Sequence, residues 1–155
     1  MGFDTKAFKK AKFEDRTERV PVPDLAEWFE EGEEAVFVVR GLTGEELARC
    51  NEAARHNKNI NSVVEAIAGQ NEQEKIDALR ETLGISTSVP DDLAKRMEQF
   101  SYGTVDPDMD HEAAVKFAQE YPIEFYQITN KIAELTGQGR QIVKKKNSKQ
   151  EQTSG

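Results

Sequence analysis

The first residues with a chemical pattern are Asp106-Pro107-Asp108-Met109-Asp110, three carboxylates at alternate positions. That spacing opens a calcium loop, in which hard oxygen ligands wrap a cation. An EF-hand loop also needs glycine at its sixth position for the turn and glutamate at its twelfth for bidentate ligation. His111 and Phe117 stand there instead. The segment therefore reads as an acidic loop ending in a helix cap. Cys50 and His56 form the nearest thiol–imidazole pair, but six residues of helix turn them about 240° apart. Two histidines and one cysteine leave no spacing cue for an all-protein zinc site. Gly137-Gln138-Gly139 lacks the third glycine and the following helix of a dinucleotide loop, and reads as a helix stop. The run Glu30, Glu31, Glu33, Glu34 reads as a solvated turn. No nucleophile, base and orienting group line up. The expectation is a protein without catalytic residues, cofactor or metal.

The elements that would carry these residues are short. Arg19-Val20-Pro21-Val22-Pro23 suits only an edge strand, because proline removes ladder donors. Ala35 to Arg40 is the strongest strand, rich in β-branched residues and closed by Gly41. Between them, residues 24–29 read as a helical turn or a further strand. Thr43-Gly44-Glu45-Glu46 is a capping box, and Leu47, Cys50 and Ala54 follow on one face. That helix is expected to fade at Asn57-Lys58-Asn59. Ile60, Val63, Val64 and Ile67 suggest a second helix, and Ile76, Leu79 and Leu83 a third. Pro90-Asp91-Asp92 opens a fourth, with Leu93, Met97 and Phe100 inward. Asp110 caps a fifth, lined by Ala114, Phe117 and Ala118. Pro122 opens a sixth, lined by Ile123, Tyr126, Ile128, Ile132 and Leu135. The fold class is α+β, mainly α: a small N-terminal β-hairpin or meander (14–42) followed by a bundle of about six short helices (43–137).

Charge is distributed unevenly over the 155 residues and the net of −8. Residues 1–13 hold Lys6, Lys9, Lys10 and Lys12 against Asp4, a net of +3. Residues 138–155 hold Arg140, Lys144, Lys145, Lys146 and Lys149 against Glu151, a net of +4. Residues 14–137 must then carry −15. An acidic body repels phosphate, which argues against specific nucleic-acid binding. The expected organisation is a flexible basic arm (1–13), one domain (14–137) and a disordered basic tail (138–155). No apolar run is long enough to span a bilayer, the first residues have no apolar signal core, and Cys50 has no partner for an internal disulfide. A reducing cytoplasm fits that composition.

The aromatic residues are the candidates for partner contact. Trp28 and Phe29 lie among Glu27, Glu30 and Glu31. They either cap the helical body or form an exposed anchor. With Phe37 on the following strand they make the candidate partner-binding set: Trp28, Phe29 and Phe37.

Several stretches are similar to a known family. Val20-Pro21-Val22-Pro23-Asp24-Leu25, the run from Phe37 through Arg40-Gly41-Leu42-Thr43-Gly44-Glu45-Glu46-Leu47, Tyr121-Pro122-Ile123-Glu124-Phe125-Tyr126, and Ile132-Ala133-Glu134-Leu135-Thr136-Gly137 resemble tail assembly chaperones of long-tailed bacteriophages and prophages. The resemblance covers about residues 15–139. It implies a non-enzymatic protein in the cytoplasm of a bacterial host. Such a protein binds the coiled-coil tape measure protein, keeps it soluble, and helps tail-tube subunits assemble around it. It also implies a longer product made by −1 frameshifting, through which the tail-tube protein would be reached. Lys145-Lys146-Asn147 is the candidate slip position, since AAA-AAA-AAC would encode it. Self-oligomers occur in such a family, but no residue here demands one. Two other readings fit the residues: a virion structural protein such as a tail-completion or head–tail connector component, and an acidic regulator that mimics DNA.

Overall fold

The computed structural model describes residues 2–68 and 90–144. The chain is mixed α+β and mainly helical. Its strands are β1 (Phe13–Glu14), β2 (Thr17–Pro21), β3 (Val36–Arg40), β4 (Thr104–Asp106) and β5 (Gln141–Ile142). Its α-helices are α1 (Thr5–Lys10), α2 (Gly44–Ala68), α3 (Asp91–Gly103), α4 (His111–Glu120) and α5 (Pro122–Gln138). A 3-10 helix over Pro23–Trp28 links β2 to the turn before β3. The segment 24–29, left between two readings by its sequence, is thus a helical turn.

β3 is the central strand of a three-stranded antiparallel sheet in the order β2-β3-β4. Arg19 pairs with Val38, and Pro21 with Val36. The proline-bearing strand therefore takes an edge, where a missing N–H costs no ladder bond. β3 buries Val36, Phe37 and Val39, while Val38 and Arg40 are half-buried. A central strand covered on both sides needs such a continuous apolar run.

An aromatic chain joins the sheet to the helices. Phe37 of β3 stacks on Phe117 of α4 with centroids 5.4 Å apart. Phe117 stacks on Phe100 of α3 at 5.4 Å, and Phe100 meets Phe125 of α5 at 5.4 Å. Ile128, Ile132 and Leu135 extend that stripe along α5, with Thr129 buried among them. Its hydroxyl donates to the Phe125 carbonyl and accepts from the Arg96 guanidinium at 2.7 Å. Both capacities of a buried hydroxyl are thereby used.

Two glycines let elements approach closely. A Cβ on Gly41 would lie 2.9 Å from the Leu135 carbonyl carbon, and one on Gly103 would lie 2.6 Å from the Ile132 side chain. The strand leaving β3 therefore packs on the α5 backbone itself. The Leu42 amide donates to Thr136 Oγ1 at 2.9 Å at that crossing.

The local signals read from the sequence appear where expected. Glu46 N–H donates to Thr43 Oγ1 at 3.3 Å and Thr43 N–H to the Glu46 carboxylate at 3.0 Å, the two arms of the capping box. Asp110 Oδ1 accepts from the Ala113 amide at 2.8 Å and caps α4. Pro122 takes the first turn of α5.

Three expectations need correction. The helix begun at Gly44 does not fade at Asn57-Lys58-Asn59 but runs on to Ala68, so two expected helices are one. Asparagine is a weak helix former, not a stop, and no glycine or proline lies between Glu45 and Ala68. Asn57 is held instead, its amide donating to Asp91 at 3.0 Å. On α5, Ile123 and Tyr126 face outward, and Phe125 fills the inward position. Within the expected flexible arm, residues 5–10 form a short helix, with Asp4 capping α1. Finally, the chain beyond 137 does not leave the fold at once. β5 pairs with β1, placing Phe13 opposite Ile142 and Glu14 opposite Gln141. The expected third helix, residues 76–83, lies outside the described residues.

Candidate protein-interaction site

Trp28 ends the 3-10 helix and is 71% exposed. Its position is nevertheless fixed. The indole N–H donates to the hydroxyl of Tyr121 at 2.8 Å. Tyr121 is the single residue between α4 and α5, and its ring lies 5.9 Å from Phe117 in the core. Ile123, two residues on, is 66% exposed. A large indole held by a hydrogen bond loses little rotational freedom when it is covered, which suits a contact residue. In the segments flanking Trp28 and Tyr121, Glu27, Glu30 and Glu120 are exposed and Glu124 is half-buried.

The other two candidates play different parts. Phe29 is half-buried against Phe37, ring centroids 6.4 Å apart. Phe37 is 2% exposed and belongs to the core, so it offers no surface to a partner. The alternation of β3 places its side chain under the helices. Of the three, Trp28 alone is well exposed, and Phe29 packs toward Phe37. Ile123, expected inward, lies at the surface, whereas Tyr121 is half-buried and packs on the core. The signal was present: with Phe125, Ile128, Ile132 and Leu135 as the inward stripe, Ile123 falls about 200° from Phe125 on the helical wheel. Lys145, Lys146 and Asn147 lie outside the described residues.

The residues with chemical patterns stand apart. Cys50 is fully buried, and burial is the main cause pushing its thiol up to about 11. His56 and His111 are exposed. Asp110 is occupied as a cap, while Asp106 belongs to β4 and Asp108 is exposed. Among the described residues no three His, Cys, Asp or Glu side chains gather as a metal site would require. Gly139, with φ of 75°, ends α5 as a left-handed stop that favours glycine. The hollow along α4, lined by His111, Glu112, Val115, Lys116, Gln119 and Glu120, is shallow and comes from one helix only.

Among the described residues one carboxylate is strongly perturbed, and it serves the fold. The Arg40 guanidinium bonds both oxygens of Glu46, at 2.9 and 2.6 Å. That hydrogen bonding is the main reason the Glu46 carboxyl is lowered to about 2. The pair locks the end of β3 to the first turn of α2. None of the described helices is long and apolar enough to cross a membrane. The chain matches no protein-family model, no curated protein and no solved structure.

Proposed function

We propose that this protein is a non-enzymatic tail assembly chaperone of a long-tailed phage or prophage, holding the tape measure protein in the host cytoplasm. The observation that carries this reading is Trp28, a large exposed side chain whose indole N–H bonds Tyr121 two residues before the exposed Ile123, on a body of net −15. Tryptophan in such a setting is the side chain most often found at binding hot spots. The coiled-coil partner implied by the family resemblance would carry an apolar stripe on each helix, and such a stripe fits an aromatic anchor. The acidic surroundings keep the complex dispersed by self-repulsion.

A longer frameshifted form fits the same picture. The slip position at Lys145-Lys146-Asn147 lies downstream of β5, so both products would keep every described element. The gene decides this point: lysine codons that forbid slippage, or a closed −1 frame, remove it.

Co-expression with the neighbouring long helical open reading frame tests the main reading. The expected result is a soluble complex of the two chains. A tape measure chain equally soluble alone, with no complex formed, overturns it. Mass spectrometry of mature virions tests the alternative: the chaperone is absent from them, whereas a tail-completion or connector protein is present.

A further inference from the structure

β1 and β5 have two residues each and come from opposite ends of the sequence. They pair only with one another, Phe13 opposite Ile142 and Glu14 opposite Gln141. The Val143 amide donates to the Lys12 carbonyl at 2.9 Å and closes this ribbon. The Gln141 side-chain amide donates to the Glu14 carboxylate at 3.1 Å. The two residues between β1 and β2 grip the chain as it leaves α5. Arg16 donates to the Gly139 carbonyl at 2.9 Å, and Arg140 donates to Asp15 at 3.2 Å.

α1 leans on the ribbon. It has 6 residues and buries none of them. Isolated helices shorter than about 12–15 residues are marginal in water, because the first turn costs more than it returns. Something outside α1 must therefore hold it. Among the described residues its ring contacts are Phe8 on Phe13 of β1, centroids 5.7 Å apart, and Phe8 on Phe3 at 5.1 Å. Phe3 and Phe8 are themselves exposed, whereas Phe13 is half-buried. Phe13 stands directly opposite Ile142, and residues opposite one another share a face of the ribbon. The line of support runs from Ile142 through Phe13 to Phe8. No residue of α1, β1 or β5 belongs to the described core.

We infer that α1 folds conditionally: β5 is a strap whose docking on β1 orders the N-terminal segment and whose departure releases it. With β5 in place, Phe13 is fixed in a strand and gives Phe8 a stationary ring. With β5 gone, β1 has no ladder partner, and α1 loses the contact that offsets its nucleation. The body stays closed, since the strap supplies nothing to its core; local opening of such a unit lies below global unfolding. This is an order–disorder switch of one segment operated from the other end of the chain. The coupling is reciprocal. A partner that draws residues 141–144 off β1 frees Phe3, Phe8 and Phe13 together with Lys6, Lys9, Lys10 and Lys12. A partner that takes up those phenylalanines loosens β5. The inference does not rest on the chaperone reading, and its test needs no partner.

The test is NMR on the full chain, following Cα chemical shifts over residues 5–10 and amide exchange in the body. Val143→Pro removes the N–H that closes the ribbon, while proline keeps Ile142 in the extended region it already occupies. Val143→Ala keeps that N–H and is the control. Phe8→Ala removes the ring contact from the other side. Helical shifts over residues 5–10 are expected in the wild type and in Val143→Ala, and their loss in Val143→Pro. Phe8→Ala should speed exchange of the Val143 amide. In all three variants the Tyr121 and Phe125 amides, bonded to the Phe117 and Tyr121 carbonyls, should keep their wild-type protection. Helical shifts that persist in Val143→Pro, or that are absent from the wild type, overturn the inference. So does equal loss in Val143→Ala, loss of α1 only together with protection at Tyr121 and Phe125, or unchanged Val143 exchange in Phe8→Ala.

Discussion

Trp28 and Tyr121 are 93 residues apart in sequence, yet the indole N–H of one donates to the hydroxyl of the other at 2.8 Å. The bond ties the 3-10 helix after the edge strand to the junction of α4 and α5. It turns an exposed side chain into an oriented one. Removing it by Tyr121→Phe should leave global stability within about 1 kcal/mol, the usual net worth of one hydrogen bond. Rotational freedom at Trp28 should rise, read as faster decay of its time-resolved fluorescence anisotropy. Trp28 is the chain's only tryptophan, so the signal is unambiguous. An unchanged decay would mean that the bond does not hold the ring.

Gly41 and Gly44 stand three residues apart and should respond in opposite ways. A Cβ at Gly41 would meet the α5 backbone at 2.9 Å, while one at Gly44 meets nothing within 4 Å. Gly41→Ala should cost about 1–3 kcal/mol through forced separation of packed elements. Gly44→Ala, in the first turn of α2, should stabilise by up to about 1 kcal/mol by narrowing the unfolded ensemble. Urea denaturation of both variants makes the comparison. Equal effects would contradict the close approach of strand and helix.

The Arg40–Glu46 pair sets an acid dependence. The folded Glu46 carboxyl is lowered to about 2, below its ordinary value of 4.5. Its contribution is therefore complete above about pH 4.5 and is lost as pH falls toward 2. Glu46→Gln should lower stability at pH 7 by about 1–3 kcal/mol, since a half-buried guanidinium loses its charged partner. The variant should also lose less stability than the wild type between pH 5 and pH 2.5. Parallel pH profiles would place the acid sensitivity elsewhere.

Cys50 should behave as a core residue. It is fully buried, and its thiol is pushed up to about 11, chiefly by burial. Modification by a disulfide reagent at pH 8 should be at least about 100-fold slower in the native protein than in urea, because both thiolate fraction and access are reduced. Rapid native labelling would place Cys50 at the surface.

What the sequence disclosed follows from the range of the interactions. Thr43 with Glu46, Asp110 with Ala113, and Pro122 at its helix start are local devices, and each stands in the structure as its spacing indicates. The Pro21 edge strand and the β3 centre are legible for the same reason. The pairing of Phe13 with Ile142 is not, because it joins two-residue strands from opposite ends of the chain. No periodicity arises from so short a strand. The aromatic site was half legible. The composition around Trp28 left it either capping the body or exposed, and only tertiary packing separates Trp28 at the surface from Phe37 in the core. The Tyr121 contribution depends on a bond between distant elements, which local spacing does not encode.

The central claim is that a long helical partner covers the Trp28 surface. Titrating the purified protein with the proposed tape measure partner while following Trp28 emission and acrylamide quenching tests it most directly. The account predicts a saturable blue shift with loss of quencher access, abolished by Ile123→Glu in a variant that keeps its fold. Complex formation that leaves Trp28 emission and quenching unchanged, or no complex at all, would contradict it.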